Sequence, residues 1–175
     1  MKTQEFDKFV ERQQAGDADP KILEEWLAAL DTLYAAVEGF LKKYTKAGKI
    51  SYSFSAVELN EQLIGVYSAQ RMNIRIGKLQ HVSLVPVATM LVGCKGRVDV
   101  EGSSGTAQLL LVGKKAKNAA DLFRISVRVG DAPPVPKPEP PTSWVWKIVS
   151  NSADRRFTDL DQESFFQLVL EVANA

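Results

Sequence analysis

From residue 66 to residue 149, apolar side chains recur at nearly every second position, and glycine-bearing turns break the run at short intervals. Period-two patterning is the mark of strands that bury one face. Strands joined by a few residues pair antiparallel, because a parallel pair needs a crossover of a dozen residues or more. The stretch therefore predicts an antiparallel meander and argues against a parallel sheet.

Within it, Met72, Ile74 and Ile76 alternate with Arg71, Asn73 and Arg75. Gly77-Lys78 reads as a two-residue hairpin turn, glycine supplying the unusual φ. Residues 79–87 return, with Pro86 marking an edge, bulge or strand end. Strands are expected over 89–92 and 97–101, separated by a bend at 93–96. Gly102-Ser103-Ser104-Gly105 is the next turn, 106–112 the next strand and 114–121 a polar loop. Phe123, Ile125, Val127 and Val129 alternate with Arg124, Ser126 and Arg128. Residues 131–141, DAPPVPKPEPP, form an extended proline-rich loop. Trp144, Trp146 and Ile148 belong to a last strand.

The flanks change period. Residues 4–14 suit a short helix capped by Thr3 and ended by Gly16. Asp19 before Pro20 is an N-cap followed by the first helical residue. Trp26, Leu30, Leu33, Val37, Phe40 and Tyr44 then recur at alternating spacings of four and three, so residues 20–46 form one amphipathic helix. Its stripe suits packing on a core, or a homodimer seam. Ile50, Tyr52 and Phe54 alternate with serines as a strand. Ser55 and Glu58 have capping-box spacing, which predicts a short helix over 56–64. Phe165, Leu168, Val169 and Val172 place a closing helix within 159–174, with Asp159 and Gln162 at its cap.

The fold class is α+β: N-terminal helices, an antiparallel β-meander of about six to seven strands, and a C-terminal helix. Residues 1–175 are read as one domain, with 1–65 mainly helical and 66–150 the meander. The N-terminus is charged, without the apolar stretch of a secretory signal, and no apolar run approaches a membrane span. Cys94 is the lone cysteine, which suits a reducing compartment. The expected location is the cytoplasm, with no membrane partner.

Little in the chain suggests catalysis. His81 is the one histidine; it faces outward on a strand, and no nucleophile elbow accompanies it. One histidine and one cysteine cannot assemble a zinc site of the usual kind. The turn at 102–105 lacks the Gly-Lys-Ser/Thr ending of a phosphate loop. Arg97, Asp99 and Glu101 alternate with Val98 and Val100, as on a solvated strand face. Asp159, Asp161 and Glu163 lack the glycine and terminal glutamate of a calcium loop. No cofactor, metal or catalytic residue is assigned.

Charge is the remaining signal. Residues 1–65 carry 8 basic and 11 acidic side chains, residues 66–158 carry 14 and 6, and residues 159–175 carry 4 acidic and none basic. Either the acidic ends neutralise the basic middle, or the middle meets an anionic partner. The candidate partner-binding residues are Arg71, Arg75, Lys114, Lys115, Lys117, Arg124 and Arg128. The leading expectation is a non-catalytic protein-interaction module, an adaptor, inhibitor or immunity-type protein, facing a partner with an acidic surface. The alternative is a nucleic-acid-binding accessory protein using a basic sheet face with stacking aromatics.

Overall fold

Residues 2–15, 19–122 and 143–173 are described by a computed structural model of the chain. Its elements are α1 (Lys2–Ala15), α2 (Pro20–Lys46), β1 (Ile50–Glu61), β2 (Gly65–Ile76), β3 (Gln80–Ala88), β4 (Gly96–Glu101), β5 (Thr106–Gly113), β6 (Trp144–Val149), β7 (Phe157–Asp159) and α3 (Gln162–Ala173). A single 3-10 turn spans Ala119–Leu122. The seven strands form one antiparallel sheet in the order β1-β2-β3-β4-β5-β6-β7. The expected α+β architecture is the observed one. No helix among the described residues is long and apolar enough to cross a membrane.

Helix α2 begins where the Asp19 side chain accepts the Lys21 N–H at 2.9 Å, and it closes before Gly48, at φ +69°. Trp26, Leu30, Leu33, Tyr34, Val37 and Leu41 are buried. They meet Met72, Ile74, Val82, Leu84, Val98, Val100, Leu109, Trp146 and Ile148 of the sheet, and Phe165, Leu168 and Val172 of α3. The stripe thus packs into the chain's own core. The Trp146 indole reaches from β6 to the Ala29 carbonyl of α2 at 3.1 Å, and the Trp26 ring stacks tilted against it. Gly96 admits that ring: a Cβ there would lie 2.1 Å from Trp26 Cζ3.

Helix α3 starts at a reciprocal cap. The Asp161 carboxylate accepts the Ser164 N–H at 2.8 Å, and Ser164 Oγ accepts the Asp161 N–H at 2.9 Å. The backbone N–H of Ser164 holds the exposed Asp161 carboxyl below the usual carboxylate range. Asp161, not Asp159, is therefore the cap, because Asp159 is still paired to β6 as the last residue of β7. The far end of α3 meets the turn at 102–105. Ser104 N–H donates to the Val172 carbonyl at 2.8 Å, and Ser103 Oγ to the Ala173 carbonyl at 3.2 Å. Donors that a phosphate loop would aim at an anion here satisfy helix carbonyls.

Several local expectations are corrected. Residues 56–61 continue β1 instead of forming a helix; twelve consecutive pairs with β2 outweigh one capping-box spacing. Thr3 lies inside α1 and does not precede it. The β2–β3 turn holds three residues, Gly77 to Leu79. Residues 89–92 form a loop with one isolated bridge, Leu91 to Cys94, after a register shift between Pro86 and Ala88. The strand expected over 123–129 and the proline loop 131–141 lie outside the described residues.

The β1–β2 hairpin is longer than the neighbour it leans on. β2 pairs with β3 through 72–76 only, so the outer half of the hairpin leaves the sheet. Buried positions switch there from Met72 and Ile74 to Ala69 and Tyr67. The hairpin's outer half thereby turns its other face onto α2, and the Tyr34 hydroxyl donates to the Gln70 carbonyl at the crossing point.

Candidate functional site

One end of the sheet gathers the β1–β2 turn, the loop from Thr89 to Lys95, the start of the segment after β5 and the N-terminal turns of α2. A buried carboxylate organises it. Glu61 accepts the Thr89 N–H at 3.0 Å and the Met90 N–H at 2.8 Å through Oε1, and the Tyr67 hydroxyl through Oε2. Tyr67 in turn accepts the Trp26 indole N–H at 3.1 Å. Burial, then the Glu61 hydrogen bond and its negative charge, push the Tyr67 phenol above its ordinary range. A buried carboxylate needs several donors, and here the loop's backbone and the Tyr67 hydroxyl supply them.

The loop is pinned at its other end too. Thr89 Oγ1 donates to the Lys95 carbonyl, and the Lys95 N–H to the Leu111 carbonyl, both at 2.8 Å. Gly93 makes the bend at φ +77°, and a Cβ there would meet Leu122 at 2.7 Å. Between this loop and α2 lies a groove of about 450 Å³. Ile22 and Trp26 form one wall, Met90, Leu91, Val92 and Cys94 the other, and Leu111 the floor. Burial raises the Cys94 thiol above its usual pKa, so it is a wall group more than a nucleophile. Val92 is 73% and Met90 39% exposed, and Leu63 and Val66 add apolar surface beside the β1–β2 turn. The rim is polar: Lys95 Nζ stands 3.6 Å from Glu25 and 4.8 Å above the Trp144 ring.

The sequence-derived basic candidates separate in space. Lys114, Lys115 and Lys117 are exposed and follow β5, at the groove end of the sheet. Lys114 N–H bonds the Ser143 carbonyl, next to the Trp144 that carries Lys95. The lysine loop has a buried cation of its own: the Lys147 ammonium donates to the Lys114 and Ala116 carbonyls at 2.9 and 2.7 Å and stands 3.4 Å from Asp159. Arg75 is exposed near the opposite end, across from His81. Arg71 is half-buried, and its Nε has no hydrogen-bond partner among the described residues. Asp99 and Glu101 share the open sheet face with Arg75 and Asn73, since Glu101 pairs with Ser83 and Ser83 with Asn73. The open face is mixed in charge, and Arg97 holds Asp99 bidentately at 2.7 and 2.9 Å. Arg124 and Arg128 lie outside the described residues.

At the opposite end, a polar hollow of about 330 Å³ is lined by Thr106, Gln108, Ser150, Asn151, Ser152 and Arg155. Its groups bond one another: Arg155 donates to Gln108 at 3.1 Å, and the Ser150 and Ser152 hydroxyls lie 2.7 Å apart. Among the described residues no group of three or more His, Cys, Asp or Glu side chains is arranged to hold a metal ion. No family model, curated protein or solved structure matches this chain. Sequence reasoning missed Glu61. The signal was present in the inward phase of Val57, Leu59 and Glu61, a strand alternation ending on a carboxylate.

Proposed function

We propose that the chain is a non-catalytic protein-interaction module, and that its groove end receives an apolar side chain of a partner whose flanking surface is acidic. The observation that carries the reading is the apolar groove itself, beside which the same end of the sheet presents Lys95, Lys114 and Lys115. A desolvated apolar anchor surrounded by a polar rim is the usual energetic layout of a protein interface. Lysines at the rim would speed encounter with an acidic partner more than tighten the complex. The Glu61 clamp supports the same reading, because a fixed loop presents Met90 and Val92 without an ordering cost on binding.

The test is affinity capture from the source cell with mass spectrometry, in nuclease-treated and untreated arms. Val92→Asp and Lys114→Glu/Lys115→Glu should each lose the same protein that the unmodified chain retains, while Arg75→Glu, away from this end, should keep it. Retention by both groove-end variants would overturn the reading. A partner lost only on nuclease treatment would replace it with nucleic-acid binding, whose phosphate contacts make it strongly salt-dependent.

A further inference from the structure

We infer that the outer edge of β1 pairs with the β1 edge of a second copy of this chain, antiparallel and centred on Ser53. The strand is twelve residues long and has one neighbour in the sheet, β2. Its other side presents a row of backbone donors and acceptors with no partner among the described residues. The opposite edge, β7, is only three residues long. Edges are commonly blunted by lysine, proline or a bulge. Between Ile50 and Glu61 there is no lysine or proline, and the register with β2 runs without a shift.

Side-chain phase selects the occupant. Tyr52 and Phe54 lie opposite Ile74 and Met72, on the helix-covered face, yet remain 37% and 41% exposed. Phe54 stands against Tyr34, and Tyr52 meets Phe54 edge-on. This small aromatic cluster stays partly exposed on the strand that forms the edge of the sheet. Ser51, Ser53 and Ser55 alternate with them on the open face. Directly opposite residues of an antiparallel pair share a face, so a slip of one residue would set serines against aromatics and put the two helix layers on opposite sides. Centred on Ser53, the two-fold pairing places Tyr52 opposite Phe54 of the second copy, twice. Ser51 then lies opposite Ser55 of the second copy and Ile50 opposite its Ala56, with no like charges apposed from residue 49 to residue 57. Moving the centre to Phe54 sets Phe54 against itself but puts Tyr52 against Ala56 and Ile50 against Glu58, so one aromatic pair replaces two. Aromatic cross-strand pairs and main-chain hydrogen bonds are the two sources of strength in strand addition.

The experiment is sedimentation velocity on the full chain, with a dilution series reaching about 100 μM, because self-association is governed by concentration. The expected species at the top of the series has twice the 19.3 kDa chain mass. Ser53→Lys places two ammonium groups opposite one another at the axis and should weaken association about tenfold or more. Its circular dichroism and melting temperature should stay unchanged, since Ser53 is exposed. Register is read by cysteine crosslinking under mild oxidation, Cys94 being buried. Ser53→Cys alone should form a linked dimer. Ser51→Cys alone should not, but mixed with Ser55→Cys it should give the heterodimer. A wild-type chain that stays monomeric throughout, a Ser53→Lys variant that associates as well as wild type, or Ser51→Cys crosslinking to itself as fast as Ser53→Cys overturns the inference. Should Ser53→Lys fail to fold, the crosslinking pattern decides alone.

Discussion

Three side chains, Trp26, Tyr67 and Glu61, tie the hairpin turn, the loop at 89–95 and α2 into one hydrogen-bonded chain. The middle member gives a pH signature. An unfolded tyrosine ionises at about 10, whereas folded Tyr67 keeps its proton to higher pH because of burial first and Glu61 second. The native state therefore binds more protons than the unfolded state above about pH 10, so stability falls as pH rises there. Below that pH the contribution is fully present. Tyr34 acts in the same direction, through burial and the nearby Asp31 charge. Urea denaturation between about pH 8 and pH 11 should show the decline, and Tyr67→Phe should make it shallower. Tyr67→Phe should also lower stability at pH 7 by about 1–3 kcal/mol, because Trp26 and Glu61 each lose a buried partner. An unchanged alkaline slope in the variant would place the proton linkage elsewhere. Beyond the inward phase of Glu61, no sequence signal links the members of this triad, since Trp26 and Tyr67 are 41 residues apart and only the folded hairpin joins them.

Among the elements, α2 was legible in full because everything that makes it is local: an Asp-Pro start, a continuous stripe and a glycine stop. Leu30→Ala should cost about 2–5 kcal/mol in chemical denaturation, as Leu30 is buried between helix and sheet. Gly102→Ala should also destabilise, by about 1–3 kcal/mol or more, because the new Cβ would lie 2.2 Å from the Val172 carbonyl oxygen, a backbone atom with little room to move. A melt matching wild type would mean that α3 shifts freely on the turn. The β1–β2 hairpin was half legible. Ile50, Tyr52 and Phe54 show the strand, but Ser55 and Glu58 imitate a helix start, and only pairing with 65–70 of β2 resolves the conflict. The loop at 89–95 was misread because Met90, Leu91 and Val92 are apolar enough for a strand. The Thr89 and Met90 N–H groups are claimed by Glu61, and the bend at Gly93 forbids continuation. β7 has three residues and no period to detect.

At the scale of the molecule, segregation of charge along the chain does not become wholesale pairing among the described residues. Among the described ion pairs, Lys95 with Glu25 and Lys147 with Asp159 join the basic middle to an acidic end; Arg97 with Asp99 and Arg156 with Asp154 lie within the middle. The lysine loop keeps its exposed ammonium groups. Lys114→Glu/Lys115→Glu should change unfolding free energy by no more than about 0.5 kcal/mol, as exposed substitutions usually do. The same variant should elute from heparin at lower salt than wild type, since screening acts on exposed charges. A large fall in melting temperature would show instead that these lysines hold the structure together. The meander and the helix-on-sheet layering were readable because strand order follows chain order. The groove was not, because its walls come from residues 22–26, 89–95 and 111, which only the fold assembles. The clasp between α3 and the turn at 102–105 bears on how the chain emerges from the ribosome. Strands in sequential order can zip together as they appear, since each new one meets the one before it. The apolar faces of β3 and β5 that α3 covers, however, must wait until the helix some sixty residues later has been synthesised, and in that interval a nascent chain exposes surface that a chaperone would recognise.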